Sequence, residues 1–451
     1  MSPVSRPART AVIGGGMAGC AAARTLVKAG REVVLFEAGE GLGGRARSWH
    51  RPEIEPHVGI NLMYVSFYPL MTELIREYGL RDELVKISSD VYIVHKGRPV
   101  PLSSDSPLNL LKYPHAPLAD RFRFLLWSLG EVRRRKQLDL FDPVKVAPFD
   151  DGTSAAELGY RKLSREGFDT LLRPQIEGFW NFACEKISAV HARALLAWLG
   201  GSEFYVFRDG MQVLAERNAE GADVRTGHEV TDLQTVDGGR VRVTARPASG
   251  EPVTETFDDV VVAVPAPIAA KLAAALPQEV VGAGTRRFLE SQEYEPALSV
   301  SFLLDPAGLP SHAHIVAGGP DDPPLRNMIT YPRRVRDEQG RPVDRLLVFA
   351  YPGRAVTRRL LGRPTEEQFA EVAPLLRTLW PDLAAEPQPF QIAERPFGFP
   401  IPAPGRYRRS VEVMRNQGAP VVFAGDYFNS PTTEAAMLSG VRAAEKLLGT
   451  R

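Results

Sequence analysis

Apolar positions along this 451-residue chain fall into runs of different kinds, and each kind predicts a different element. Ala11–Ile13 and Val33–Phe36 are short and uninterrupted, the pattern of strands buried on both faces. Between them the alanine-rich stretch Met17–Lys28 predicts a helix, and Gly30 stands where a helix end needs positive φ. The first 60 residues therefore read as strand, helix, strand. Residues 70–200 look mainly helical, punctuated by Pro107, Pro114, Pro117, Pro143, Pro148 and Pro174. Strand patterns return at Val224–Leu233, Val241–Ala245, Thr254–Phe257 and Val260–Val264, with Asp237-Gly238-Gly239 and Ser249-Gly250 as hairpin turns. Residues 276–400 mix helix and strand. The chain then closes on a strand at Val421–Ala424 and a helix from about Thr433 to Leu448. There is no internal repeat and no low-complexity tract.

Composition narrows the picture by exclusion. A formal net charge of +1 gives no bulk attraction to nucleic acid or to a membrane. Two cysteines, Cys20 and Cys184, leave no disulfide framework or cysteine metal site, and the eight histidines show no metal-ligand spacing, so no metal is expected. The longest apolar stretch, Val260–Leu276, is broken by Pro265, Pro267 and Lys271, which argues against a membrane span. The polar start, Met1–Thr10, does not resemble a signal peptide, so a cytoplasmic location is expected. The excess of arginine over lysine fits a GC-rich bacterial genome.

The chemistry is concentrated in glycine. Gly14-Gly15-Gly16-Met17-Ala18-Gly19 satisfies G-x-G-x-x-G between a predicted strand and a predicted helix. Gly14 permits the tight turn, Gly16 close approach to a pyrophosphate, and Gly19 tight packing of helix on strand. The helix N-terminus adds unpaired N–H groups and partial positive charge. Glu37, 18 residues beyond Gly19 and followed by Ala38, suits a ribose hydroxyl and would repel a 2′-phosphate. A second segment, Gly41-Leu42-Gly43-Gly44-Arg45-Ala46, brings more bare backbone and a guanidinium suited to phosphate. The fold class that follows is mixed α/β: a Rossmann-like domain assembled from 1–70, 203–275 and 415–451. A substrate domain of mixed sheet and helix would comprise 71–202 and 276–414, helical at about 105–200.

These motifs resemble the N-terminal signature of the flavin amine oxidase, phytoene desaturase and protoporphyrinogen oxidase superfamily. The resemblance continues through Asp209-Gly210-Met211, Val224–Val230, Asp259–Pro265 (DVVVAVP), Phe423-Ala424-Gly425-Asp426 and Thr433–Gly440 (TEAAMLSG). It implies FAD, with adenine against Val230, ribityl hydroxyls at Gly425 and Asp426, and the flavin ring before Thr433, Glu434 and Ala435. No cysteine or histidine follows His314, so a covalent flavin bond through either residue type from the C-terminal region is excluded and non-covalent binding is expected. Pro56–Asn61 resembles a ring-proximal segment and places Gly59, Ile60 and Asn61 there, with Asn61 where desaturases usually carry histidine. Ala297–Leu304 resembles the strand in which family amine oxidases hold a lysine near flavin N5; Ser299 stands at that position, and Thr432 fills an aromatic slot. Arg395–Pro400 keeps only Pro400 of a W-x-x-A-x-P segment.

The implied reaction is dehydrogenation of a C–C or C–N bond in a largely apolar small molecule, by hydride transfer to flavin N5, with O2 or another electron acceptor. No catalytic base is assigned. Asn61, Trp180, Phe399 and Thr432 are the candidate substrate-lining residues; the cluster Phe179, Trp180 and Phe182 reads either as a channel wall or, more readily, as a core face. Two alternatives stand beside this reading: an amine or amino-acid oxidase of a biosynthetic pathway, and a non-catalytic binding protein like the Rab GDP dissociation inhibitors. Leu118–Lys136 interleaves aromatic and aliphatic residues with arginine, so it is either a membrane-surface helix or, the favoured expectation, a substrate-domain helix with a solvated basic end.

Overall fold

Parallel strands that are apolar on both faces need cover on both sides. In the computed structural model, which describes residues 7–48, 54–55, 63–64, 68–87, 90–102, 109–198, 204–306, 308–336 and 339–450, five such strands share one sheet. Its order is Val421–Phe423, Asp259–Val262, Arg9–Ile13, Glu32–Phe36 and Asp223–Arg225, every neighbouring pair parallel. The first helix, Met17–Lys28, packs in one core with the last, Thr433–Leu447, and with Gln212–Asn218. The other face carries the antiparallel sheet His228–Val236, Arg240–Pro247 and Val253–Phe257, together with the helices Ala266–Ala274 and Ala283–Glu290.

The stretch read as one strand, 224–233, is divided between two sheets. Asp223–Arg225 closes the parallel sheet, the chain turns at Gly227 (φ 67°), and His228 opens the antiparallel one. The glycine makes the corner, because the left-handed region there suits a residue without Cβ.

The second large sheet has eight strands. Gln388–Pro400 lies at its edge, followed by Tyr294–Leu304, Pro342–Pro352, Leu325–Arg336, Ala313–Ala317, Asp90–His95 and Arg98–Leu102, and Ile54–Glu55 pairs with Leu325–Arg336. The last two of that row interrupt a region read as mainly helical. Lys96 (φ 49°) and Gly97 (φ 75°) form their two-residue turn, whose twist suits a tight hairpin. Pro396 and Pro400 are tolerated because their strand is an edge. One face of this sheet packs against the helices Arg354–Leu360 and Thr365–Val372, the other against a helical block between 118 and 198.

Within that block the helix Arg173–Trp180 is fastened by a buried ion cluster. Glu177 accepts from Arg173 (2.6 Å), Arg326 (2.9 Å) and Arg354 (3.0 Å), and from the backbone N–H of Cys184. Removing one partner of such a cluster would cost about 3–5 kcal/mol, since it strands a buried charge. Among the described residues no helix is long and apolar enough to cross a membrane.

Glu434, in the first turn of the last helix, is fully buried, and its two oxygens accept the N–H groups of Leu70 (2.7 Å) and Met71 (2.9 Å) at the start of the helix Pro69–Glu77. Burial pushes its carboxyl up to about 7, against the two N–H groups that pull it down. The folded chain therefore holds this proton to higher pH than the ordinary 4.5, so the stabilisation it gives is full below pH 4.5 and lost as pH rises through 7. Thermal unfolding scanned across that window is expected to show Glu434→Gln less pH-dependent than the native chain. A parallel decline in the two proteins would remove Glu434 as the cause.

Candidate functional site

The first turn of the parallel sheet opens onto a cleft of about 420 Å³ that runs from Glu37 to the start of the last helix. Its glycines are not equivalent. Gly14 turns at φ 101°, and a Cβ on it would press on Ala263 O; a Cβ on Gly19 would overlap Gly14 O. Those two are required by the packing of the protein itself. Gly16 is different: a Cβ there would meet nothing within 4 Å, and its backbone (φ −74°, ψ 179°) suits any residue. Its missing side chain leaves room in the cleft, as a ligand lying over the helix start requires. The second glycine loop crosses beside it, with Gly43 N–H donating to Gly15 O at 2.8 Å and Gly44 (φ 55°) close to the Gly16 backbone.

At one end, the Glu37 carboxylate accepts from Gly15 N–H (2.6 Å) and Gly39 N–H (2.7 Å), one through each oxygen. Each oxygen keeps acceptor capacity for a hydroxyl. Ala38 and Val230 line the same end. At the other end stand Gly425, Asp426, Thr432 and Thr433. Thr432 caps the last helix, its hydroxyl accepting from Ala435 N–H at 3.2 Å, so the positive end of a 15-residue helix faces the cleft.

Arg45 joins the two large sheets across the cleft. One guanidinium nitrogen pairs with Asp426 (2.7 Å) and another donates to Gly398 O (2.8 Å). Burial works to lower the Arg45 pKa, but the Asp426 charge and hydrogen bond outweigh it and raise it. The Gly398 carbonyl is presented by an irregularity in the edge strand, where Glu295 pairs with Phe399 but Ala297 with Arg395. Gly398 fits only without a side chain, since a Cβ would press on Ala297 and on Glu295 O. Arg395 also borders the cleft, its guanidinium pushed down by burial and by Arg45.

Of the residues singled out from sequence, Gly14, Gly16, Met17, Ala18, Glu37, Ala38, Gly43, Gly44, Arg45, Val230, Gly425, Asp426 and Thr433 line this one cleft, with Thr432 and Phe399. Gly19 lies beneath it in the helix packing, Ala435 is buried behind it, and Glu434 faces the Pro69–Glu77 helix instead. Trp180 sits away from the lining, edge-on to His191, while Phe182 is core and meets Phe399 edge-to-face. Gly59, Ile60, Asn61 and the Phe179 side chain lie outside the described residues. Sequence reasoning passed over the Gly398 carbonyl and kept Arg395 off the list of site residues, although the RPFGFP segment resembles one that lies near the flavin ring in the family. Among the described residues no cluster of three or more His, Cys, Asp or Glu could hold a metal ion.

A Rossmann turn, a glycine-cleared cleft and an arginine that ties it to a second large sheet are the features of the class of folds that bind dinucleotides. The profile of the flavin containing amine oxidoreductases matches residues 17–448, and the chain belongs to that family. It is 32% identical to an L-amino-acid oxidase of Naja atra over 120 residues, 26% of this chain and 24% of that protein. To protoporphyrinogen oxidase 2 (chloroplastic/mitochondrial) of Arabidopsis thaliana it is 30% identical over 172 residues, 38% and 32% of the two chains. The matches thus span a third or less of these relatives' lengths. In fold the likeness extends over nearly the whole chain. A structure from Exiguobacterium sp. 255-15, of a protein carrying the protoporphyrinogen oxidase name, superposes with TM-score 0.72 at 18% identity over 98% of each chain. Putrescine oxidase bound to putrescine gives 0.69 at 16%, over 99% of this chain and all of the other.

The contrast between the glycines gives an expected outcome. Gly19→Ala should destabilise the ligand-free chain by about 1–3 kcal/mol, as overpacking does. Gly16→Ala should leave its melting temperature unchanged or slightly raised. Equal losses in the two variants would refute the assignment of open space at Gly16.

Proposed function

We propose that this chain is an FAD-dependent oxidoreductase that dehydrogenates a C–C or C–N bond of a small, largely apolar molecule. The observation that carries this reading is the single cleft bounded by an acid at one end and a helix start at the other. Adenosine ribose hydroxyls would meet Glu37, and the pyrophosphate would lie over Gly16 with Arg45 beside it. Ribityl hydroxyls would meet Asp426, and the ring would sit before Thr432 and Thr433. When bound, the flavin supplies two-electron acceptance from a substrate C–H bond.

The chain's own part is orientation and charge. The positive end of the last helix favours negative charge at the ring end by about 0.3–2 kcal/mol. The described lining at that end includes no cysteine or histidine, and His228 lines the opposite end, which supports non-covalent binding. Cys20 is buried under the first turn with its thiol pushed far up by burial, so it stays protonated. Oxidation of an amine or amino acid is the second reading, supported by the L-amino-acid oxidase matches; Ser299 in place of lysine supports the first. The electron acceptor is O2 or another oxidant.

The helix Leu118–Val132 supports a peripheral partner. Among the described residues six large apolar side chains are exposed, and four of them are Leu118 (60%), Phe122 (51%), Leu126 (69%) and Leu129 (45%). At 100° per residue they occupy one arc of about 80°. The helix's two acids, Asp120 and Glu131, are buried and paired with Ser164 and Arg193, so the exposed charges, Arg123 and the following Arg133–Lys136, are all basic. An apolar stripe beside unopposed positive charge fits an anionic lipid surface.

Purified protein should carry flavin that denaturation releases as FAD, and only a true donor should bleach it quickly under anaerobic conditions. Glu37→Ala should lower FAD affinity at least about tenfold, because it removes a charged acceptor. Flavin-free protein would instead favour the non-catalytic carrier. Vesicles containing phosphatidylglycerol should sediment the protein where neutral phosphatidylcholine does not, and Phe122→Ser with Leu126→Ser should abolish it. Concentration-dependent dimerisation lost in the same variant would assign the stripe to a second copy.

A further inference from the structure

Burying a hydroxyl or an amide oxygen without a partner is costly, so a row of such atoms in one place calls for an occupant. Three of them lie across adjacent strands of the eight-stranded sheet. Asn327 pairs in register with Tyr351, and Ser299 lies beside Tyr351, one position on from the Val300–Ala350 pair. Burial pushes the Tyr351 phenol up; the Ser299 hydroxyl is close enough to oppose this, yet the two make no hydrogen bond. Ser299 Oγ, Tyr351 OH and Asn327 Oδ1 are all buried and unpartnered.

The face they occupy is fixed by the register. Val300, Ala350, Met328 and Ile315 point into the core beneath Arg354–Leu360, so the alternate positions face the opposite way. There the row continues through Val316, which lies against Gly178 of the helix Arg173–Trp180. Two residues from Ser299 on the same face, Ala297 pairs with Arg395, which borders the cleft. A bulge at Arg326 lets two successive side chains reach that helix: Arg326 to Glu177, and Asn327 Nδ2 to Gly178 O at 2.8 Å. With its amide nitrogen engaged, Asn327 is oriented, and only its oxygen remains to be met.

We propose that Ser299, Tyr351 and Asn327 form the row that recognises the substrate, and that they select an uncharged group bearing an N–H or O–H donor. The inference rests on the oxidoreductase reading above and narrows its substrate class. Asn327 Oδ1 can only accept, so the occupant must donate; the two hydroxyls can do either. A plain hydrocarbon would leave all three unpaired. An ammonium or carboxylate would be buried without a counter-charge in the row itself, because the nearby Glu177 and Arg326 already pair with each other and Arg395 stands at the cleft, two residues away along the face.

The test uses the flavin-loaded protein and matched probes, with the flavin absorption change and calorimetric heat as readouts: indole against benzofuran, and benzamide against acetophenone. The donor-bearing member of each pair is expected to bind about tenfold more tightly. Asn327→Leu should erase that gap. Should that variant fail to fold, Tyr351→Phe should weaken indole and benzamide about tenfold while flavin content holds and thermal stability is unchanged or raised; a merely structural tyrosine would leave both probes unaffected. Equal binding within each pair, no binding by any probe, or tighter binding of benzylamine or benzoate overturns the inference. Protein that retains no flavin defeats the underlying reading first.

Discussion

The first and last helices touch through bare backbone: Gly440 lies on Ala18 O so closely that a Cβ there would overlap it. Both helices follow strands of the same parallel sheet and cover the same face, so they run in the same direction. The first begins at Met17, next to the contact, and the last begins at Thr433, seven residues before it. At 1.5 Å per residue their starts are offset by about 10 Å along one cleft. Two regions some four hundred residues apart thereby share a single elongated site, and the domain between them is built around that fact.

Arg45 couples the site to the second sheet. It reaches the Gly398 carbonyl only because the edge strand carries surplus residues there, and it reaches Asp426 from the other side. With Arg395 also in the lining, the cleft around Arg45 and Asp426 holds two guanidinium groups against one carboxylate, a net positive charge. The same strand, two pairs further from the bulge, leads to the unpartnered row at Ser299, so one sheet both borders the cleft and carries that row.

What the sequence disclosed was local or strongly periodic. The turn from Gly14 to Gly19 is set by steric needs within a few residues, the first helix runs as read from Met17 to Lys28, and the terminal strand and helix carry their own pattern. What it withheld depended on distant partners. The hairpin of Asp90–His95 and Arg98–Leu102 had a turn signal in Lys96-Gly97, but the surrounding helices masked it. The bulge at Gly398 exists only in register with Glu295 and Ala297. Nor could periodicity say which side of Leu118–Val132 meets the protein: the buried face keeps Asp120 and Glu131 because Ser164 and Arg193 satisfy them, and leucines are left outside.

Glu434 has an electrical consequence. An acid in a helix's first turn ordinarily screens the terminal dipole, yet this one points at another helix and is partly protonated near neutrality. The last helix therefore keeps more of its field toward the cleft than it would beside a fully ionised carboxylate. A ring that takes up electrons there would be easier to reduce than the same ring in water, so its midpoint potential would depend on where one carboxylate is directed.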